Sequence, residues 1–273
     1  MKILASLSFV ALSALSFMVP LPACAAGGVP DNVIRGDILG GWTTRQGTRM
    51  AALRLTMAPG WKTYWRAPGE AGIPPSFDWS GSRNLGAVTY HWPSPEVFEN
   101  YGLRTIGYSR ELVLPIELHP TTPGAPIELH GKVDLGVCEK ICMPANLRID
   151  ATLDGAGRAD PAIERALANA PAPGSRAGVR RVDCEVEPIS DGVKVTARIA
   201  MPRLPGAEVA MVETGNPHVW VSEPKSRRKG DILEVQADLV PAGGGPLALD
   251  RSAMRFTVIA GTRAVDIHGC TTK

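Results

Sequence analysis

The feature that most constrains the fold is a set of short segments with an apolar residue at every second position. Residues 112–118, 127–135 and 193–199 all follow this period. Because successive side chains of a β-strand point to opposite faces of a sheet, the period predicts strands. Turn-forming sequences such as Pro59-Gly60 separate these segments. The pattern predicts an all-β chain of sandwich architecture.

Chain length and one helical segment predict how the chain divides. A mature chain of about 250 residues exceeds the usual size of one domain. Asp160 is a candidate helix N-cap, Pro161 suits the first helical position, and the Pro/Gly/Ser-rich stretch that follows is typical of a linker. We predict four regions, which are a signal peptide at 1–25, a first β-domain at 27–155, a helix and linker at 156–177 and a second β-domain at 178–273.

The N-terminus has the layout of an export signal. Lys2 precedes a run of apolar and small residues from Ile3 to Val19, and the Ala-Cys-Ala sequence ending at Ala25 fits signal-peptide cleavage. The alternative is a lipoprotein site that would acylate Cys24 and anchor the chain to a membrane. Both interpretations predict an exported, periplasmic protein. No other segment is long and apolar enough to span a bilayer.

The charge of the chain is close to neutral. The formal net charge is +2, and it falls to +1 when Lys2 is removed with the signal peptide. That balance predicts neither a nucleic-acid partner nor a polybasic membrane patch. The one basic cluster, Lys225 to Lys229, is expected to be a solvated turn between two strands.

The tryptophans are concentrated in the first β-domain. Only Trp220 lies in the second. Large aromatic side chains in a sandwich are more often core than binding surface, so we expect the others to be packed inside. An exposed tryptophan-rich face that binds a ligand is the alternative.

Four cysteines remain after the signal peptide, and they form two candidate pairs. An even number in an exported chain predicts disulfides, and the domain boundary favours Cys138 with Cys142 and Cys184 with Cys270. In the chain-entropy model, closing the long loop stabilises the fold by about 4.6 kcal/mol, and closing the short loop by only about 2 kcal/mol. The long bridge is therefore expected to be structural. Because cysteines four positions apart on one strand would lie about 13 Å apart, the chain must turn sharply between Cys138 and Cys142.

Three chemistries are open to the Cys138/Cys142 pair: a structural bridge, a metal site and thiol–disulfide exchange. A closed zinc site needs four ligands, and no histidine lies at tight spacing to the pair. A cysteine hydrolase is disfavoured because no supporting base accompanies a nucleophile. We therefore expect no metal and no cofactor. A close pair can cycle between dithiol and disulfide, but composition alone does not distinguish exchange from a bridge.

Three longer motifs resemble a known family. They are PGWKTYWRAPGEAGIPPSFDW from Pro59 to Trp79, WPSPEVFENYGLRTIGYSRELVLPIEL from Trp92 to Leu118, and DLGVCEKICMPA from Asp134 to Ala145. Their order of aromatic motif, Tyr-Gly loop and cysteine pair resembles the periplasmic N-terminal domain of the DsbD-type thiol:disulfide interchange proteins, in particular stand-alone exported relatives. The resemblance spans most of the first β-domain.

The resemblance implies an immunoglobulin-like sandwich whose redox pair is Cys138 and Cys142. In that family the pair receives electrons from a thioredoxin-like domain or protein and passes them to periplasmic disulfide oxidoreductases. The positions that match the family's cap loop, which shields the sulfurs, are Phe98, Asn100, Tyr101 and Gly102. The covering aromatic of the family falls at Asn100, so the resemblance implies that Phe98 or Tyr101 covers the pair here.

Four other residues are expected beside the sulfurs. Tyr64 and Trp65 would supply an apolar cover that slows indiscriminate exchange, with ordinary core packing as the alternative. In the turn, Lys140 would favour a thiolate and Glu139 would oppose it.

These features predict an exported thiol–disulfide oxidoreductase that relays electrons through Cys138 and Cys142. The spacing of the pair is shorter than in the best-known relatives, and the electron donor is expected to be a separate protein. The competing interpretation is a non-catalytic β-sandwich binding module, in which both disulfides are structural and the tryptophans form a ligand face.

Overall fold

Strands make up most of the secondary structure in the computed structural model, which describes residues 32–100, 102–245 and 247–270. The predicted signal peptide at 1–25, the alternative lipid site at Cys24 and the predicted cap residue Tyr101 lie outside those ranges. Within them, no helix has the length and apolar character needed to cross a membrane.

The first sandwich is built from two antiparallel sheets. Its strands are β1 (Ile34–Thr43), β2 (Arg49–Met57), β3 (Lys62–Tyr64), β4 (Ser76–Asp78), β5 (Ala87–Tyr90), β6 (Glu96–Asn100), β7 (Leu103–Ser109), β8 (Glu111–His119), β9 (Ile127–Cys138) and β10 (Cys142–Leu153). One sheet has the order β1-β2-β8-β5. The other has the order β10-β9-β3-β7-β6, and β4 also pairs with β9.

The second sandwich is also built from two sheets, one of which includes a parallel pair of strands. Its strands are β11 (Ala172–Pro173), β12 (Arg181–Pro188), β13 (Val193–Ala200), β14 (Val209–Glu213), β15 (Val219–Val221), β16 (Lys225–Lys229), β17 (Ile232–Pro241), β18 (Arg255–Ala260) and β19 (Arg263–His268). Its sheets have the orders β11-β19-β18-β14 and β12-β13-β17-β15, with β16 also paired to β17. The all-β, immunoglobulin-like architecture predicted from the sequence is confirmed.

The alternating residues form the cores, as their period requires. The buried side chains of β8 and β9 include Leu112, Leu114, Ile116, Leu118, Ile127, Leu129, Val133 and Leu135. Burying a side chain of this size stabilises the fold by about 2 kcal/mol relative to leaving it exposed. The last residues of β9, from Gly136 to Cys138, are buried on both faces. This end of β9 is therefore enclosed by other segments, and it carries the first cysteine of the pair.

The one helix within the described residues, α1 (Pro161–Ala168), begins where the sequence predicts. The Asp160 side chain accepts a hydrogen bond of 2.8 Å from the backbone N–H of Ala162, which satisfies one of the open donors of the first turn. Ile163 is fully buried and packs with Met50 and Ala52 of β2. The helix is therefore attached to the first sandwich.

The two sandwiches contact each other directly. The Arg66 guanidinium donates two hydrogen bonds of 3.0 Å to the carboxylate of Glu213, which ends β14. Met211, Ile259 and Ala264 of the second sandwich pack into the hydrophobic cluster of the first. Arg66 lies two residues after Tyr64, so the segment that follows β3 contacts the second sandwich.

The expectation of a turn at Lys225 to Lys229 is wrong. These residues form β16 and pair with Ile232 to Gln236 of β17. Their side chains are mostly exposed, and charged side chains are a common device that keeps the edge of a sheet from pairing with other chains. The charge run therefore belongs to a solvated strand.

Candidate functional site

A β-hairpin brings the two cysteines of the short pair together. β9 ends at Cys138, β10 begins at Cys142, and the register places the two residues directly opposite each other. Their Cα atoms are 4.2 Å apart and the sulfurs form a disulfide. This separation is near the roughly 4.5 Å typical of non-hydrogen-bonded partners in antiparallel strands. The sharp turn required by the sequence is thus the three-residue end of a hairpin.

The two cysteines differ in their exposure to solvent. Cys138 is only 6% exposed, whereas Cys142 is exposed. Ile141, the last residue of the turn, is 74% exposed. A thiolate that approaches from solvent therefore meets Cys142 first, and Cys138 lies behind it.

Tyr64 of β3 contacts the exposed cysteine across the intervening strand β9. Its hydroxyl lies 2.9 Å from Cys142 Sγ, and because a disulfide sulfur carries no hydrogen, the hydroxyl is the donor. The ring is 1% exposed, and burial raises the pKa of Tyr64, so the hydroxyl stays protonated at neutral pH. Gly136 provides room for this ring, since a Cβ there would lie 2.8 Å from it.

Lys62 lies beside the buried cysteine and was not predicted from the sequence. It stands opposite Cys138 in the register of β3 with β9 and is 7% exposed. Its ammonium lies 3.5 Å from Thr105 Oγ1 and 4.6 Å from the centre of the Phe98 ring. Burial lowers the pKa of Lys62. The period of β3 could have revealed this residue, because Lys62 and Tyr64 are two positions apart and share a face.

The predicted cap residues belong to a hairpin rather than to a free loop. Phe98 and Asn100 lie in β6, Asn100 pairs with Leu103 of β7, and Gly102 has a positive φ of 79°. The half-buried Phe98 reaches the cysteine hairpin through its contact with Lys62. Tyr101 lies outside the described residues.

The other predicted neighbours of the sulfurs are placed differently from one another. Glu139 and Lys140 are exposed in the hairpin turn, and the Glu139 side chain lies above Gly60. Trp65 points to the opposite face of its strand from Tyr64, is fully buried in the core and stacks against the Arg66 guanidinium at 3.9 Å. Trp65 is therefore a core residue, which is the alternative that the sequence left open.

The tryptophans of the first sandwich do not form an exposed face. Those of its core cluster and of the cluster under α1 are buried or half-buried, and they are Trp42, Trp61, Trp65, Trp79 and Trp92. In the described part of the chain, no three His, Cys, Asp or Glu side chains are grouped as they would be around a metal ion.

The second disulfide occupies a different kind of position. Cys184 of β12 is bonded to Cys270, which follows β19, across 86 positions of sequence. Both residues are half-buried against the hydrophobic core of the second sandwich. The bond thereby ties the second strand of that sandwich to the end of its last one.

Comparison with known proteins identifies the class of the first sandwich. Residues 38–154 match the family described as the N-terminal part of the thiol:disulfide interchange protein DsbD. The matched range holds β3, the β6–β7 hairpin and both cysteines of the short pair. The first sandwich is therefore similar to this thiol:disulfide interchange family over almost its whole length.

A solved structure extends the likeness to both sandwiches. The N-terminal periplasmic domain of ScsB from Proteus mirabilis shares 25% sequence identity with a TM-score of 0.63, over 88% of this chain and 92% of that chain. The reduced N-terminal domain of Neisseria meningitidis DsbD matches at 16% identity and a TM-score of 0.27, over 46% of this chain and 90% of that chain. A comparison with curated proteins gives no match.

Proposed function

We propose that this protein is an exported thiol–disulfide exchange protein that relays electrons through Cys138 and Cys142. It receives them from a thioredoxin-like donor and passes them to periplasmic disulfide oxidoreductases. The observation that carries the proposal is the unequal exposure of the pair, with Tyr64 donating a hydrogen bond to the exposed sulfur. The family of the first sandwich supports the same chemistry.

Reduction of the disulfide begins at Cys142. A thiolate of the donor bonds to Cys142 Sγ, the Cys138–Cys142 bond breaks, and Cys138 leaves as a thiolate that takes up a proton. The second donor thiol, after losing its proton, attacks the donor sulfur of this mixed disulfide and releases Cys142. Two electrons pass to this protein, and the donor dithiol becomes a disulfide.

Delivery of the electrons reverses these roles. The Cys142 thiolate attacks a disulfide of the acceptor, forming a mixed disulfide and releasing one acceptor thiol. Cys138 then loses its proton and attacks Cys142 Sγ, which restores the internal disulfide and frees the second acceptor thiol. Because the register holds Cys138 opposite Cys142, this resolving step needs no large movement of the chain.

Two buried side chains assist the thiolates. The Tyr64 hydroxyl donates to Cys142, and a hydrogen bond to the charged form lowers the pKa of a thiol. Lys62 places a positive charge on the strand opposite Cys138, which favours its departure as a thiolate. Phe98 holds the β6–β7 hairpin against Lys62, and we assign that hairpin the role of the cap.

The proposed export rests on the N-terminal sequence, from which residues 1–25 would be removed. A periplasmic location is supported by the match to the ScsB domain, which is periplasmic. Acylation of Cys24 stays the alternative form of the same proposal.

Trapping of mixed disulfides tests the relay. Cys138→Ala leaves the attacking Cys142 without its resolving partner, so we expect mixed disulfides with proteins of thioredoxin-like fold when the variant is produced in the periplasm. Non-reducing gels and mass spectrometry of the excised bands measure this. Cys142→Ala is the matched control, because it leaves only the buried Cys138. If Cys138→Ala accumulates no mixed disulfide, the relay is wrong.

A further inference from the structure

The exposed large apolar side chains form a band that starts at the cysteine hairpin. In the described part of the chain they are Ile73, Leu103, Ile141 and Trp220, with exposed fractions of 37%, 54%, 74% and 52%. Single exposed apolar residues need no explanation, but a group around one site indicates an interaction surface. Three of these residues belong to the first sandwich, and Trp220 belongs to β15 of the second.

The segment 66–75 connects these residues into one surface. Ile73 lies against Gly136 of β9 beside the Tyr64 ring, which contacts Cys142. Further back in the segment, Gly69 lies against the backbone of Arg104, the neighbour of Leu103. The band thus runs from the cysteine hairpin along this segment towards the second sandwich.

A groove between the sandwiches continues the band to Trp220. It has a volume of about 630 Å³, and its walls are the segment 66–74 and residues 211–224. Two contacts fix the walls relative to each other, since Glu70 accepts a hydrogen bond of 2.9 Å from the backbone of Glu223 and Arg104 pairs with the Glu223 carboxylate at 3.0 Å. Trp220 therefore stands at a fixed position across the groove.

The rim of the band is acidic. The carboxylates of Glu99 and Glu223 pair with the Arg104 guanidinium there, and a third carboxylate, of Glu70, accepts from the backbone N–H of Glu223. An apolar centre with an acidic rim fits a partner that has an apolar surface around its reactive cysteine and basic side chains beside that surface.

The groove lies close enough to Cys142 for a partner bonded there to reach it. A typical protein contact buries about 800 Å² on each side, which corresponds to a patch of about 16 Å radius. The Tyr64 hydroxyl contacts Cys142 Sγ, and its ring lies beside Ile73, whose neighbours Gly72 and Pro74 line the groove. A folded donor centred on Cys142 therefore also covers the near wall of the groove.

We propose that the second sandwich is part of the docking surface for the thioredoxin-like donor, with Trp220 as its anchor. The inference rests on the proposed function, because it assigns a partner surface to the same redox pair. The donor contacts Ile141 at the cysteine hairpin and Trp220 across the groove at the same time. The second sandwich thereby sets which protein thiols reach Cys142, while small thiols need no such contact.

The test compares a protein donor with a small thiol. The oxidised protein is mixed with reduced thioredoxin or with dithiothreitol, quenched in acid, and its new thiols are tagged with a maleimide. For Trp220→Ala we expect a second-order rate constant with thioredoxin about 10-fold lower, as for an aromatic anchor of an interface. The rate with dithiothreitol should stay within about 2-fold, because small thiols make no interface contacts.

Two matched variants complete the test. Trp220→Phe keeps an aromatic anchor and should recover most of the thioredoxin rate. Ile232→Ala truncates an apolar side chain at the opposite end of β17 from the strand positions paired with β15, and it should leave both rates unchanged.

Two results would overturn the proposal, and they are distinguishable. If Trp220→Ala reacts with thioredoxin as fast as the wild-type protein, the docking role of the second sandwich is wrong while the proposed function stands. If thioredoxin fails to reduce even the wild-type protein, the proposed function fails and the docking surface fails with it.

Discussion

The two disulfides of this chain lie in sandwiches of the same architecture but constrain them differently. Cys184–Cys270 joins residues 86 positions apart, with Cα atoms separated by 5.7 Å. Cys138–Cys142 joins residues four positions apart that already face each other in a hairpin of β9 and β10. The first bond restricts a long loop of the unfolded chain, whereas the second joins residues that a tight hairpin already places opposite each other.

This difference explains how one bond can open in a folded protein. When the Cys138–Cys142 bond breaks, the register of β9 with β10 holds the two thiols opposite each other, so the bond can form again without refolding. Cys184 and Cys270 have no such pairing, because β12 and β19 lie in different sheets. A redox pair is therefore expected at the hairpin and a permanent bridge in the second sandwich.

Removing the long disulfide should lower the stability of the protein more than removing the short one. Cys184→Ala with Cys270→Ala is expected to lower the free energy of unfolding by about 4.6 kcal/mol, because the unfolded chain regains the freedom of a long loop. Cys138→Ala with Cys142→Ala should lower it by about 2 kcal/mol or less. Urea unfolding of the oxidised proteins measures both values.

The same two double variants should show the opposite order in their loss of thiol–disulfide exchange. Loss of the hairpin pair removes all reaction with reduced thioredoxin, while loss of the long bridge leaves the rate of a folded protein intact. Equal losses of stability in the two variants, or exchange that survives without Cys138 and Cys142, would contradict the comparison.

A smaller effect is expected from the hydrogen bond at the exposed sulfur. Tyr64→Phe removes the hydroxyl that donates to Cys142. A hydrogen bond to a charged group contributes about 1.5 kcal/mol or more, so the pKa of the Cys142 thiol should rise by about one unit. In the Cys138→Ala background only Cys142 titrates, and the pH dependence of its alkylation by iodoacetamide gives the pKa.

A second tyrosine provides the control for this measurement. Tyr90 accepts a hydrogen bond of 2.8 Å from Trp79, in another part of the first sandwich. Tyr90→Phe should leave the alkylation midpoint of Cys142 unchanged. An unchanged midpoint in Tyr64→Phe as well would show that the hydroxyl does not act on the thiolate.

Local sequence signals were enough for much of the fold. The period-two segments became β8, β9 and β13, and Asp160 with Pro161 starts α1. The interpretation of Lys225 to Lys229 as a turn was wrong because charge composition does not distinguish a solvated edge strand from a loop. β16 pairs with residues 232–236 of β17 in a hairpin, which the alternating residues after Gly230-Asp231 could have indicated.

The candidate site was only partly predictable because some of its contacts join strands that are distant in sequence. The spacing of Cys138 and Cys142 required a turn, and Tyr64 was expected as an apolar cover, but its hydrogen bond to Cys142 was not predicted. The contact of Lys62 with Phe98 depends on the order of strands β3, β7 and β6, which no local pattern encodes. The predicted domain boundaries and the cap role of Tyr101 stay predictions.

The reduction potentials of the two disulfides test the central claim most directly. The protein is equilibrated in glutathione or dithiothreitol redox buffers, and the tagged thiols of each pair are assigned by peptide mass spectrometry. We expect Cys138–Cys142 to titrate above about −300 mV, in the range of exchange proteins, and Cys184–Cys270 to titrate below it. A potential for Cys138–Cys142 at or below about −300 mV would make it a structural bridge and contradict the account.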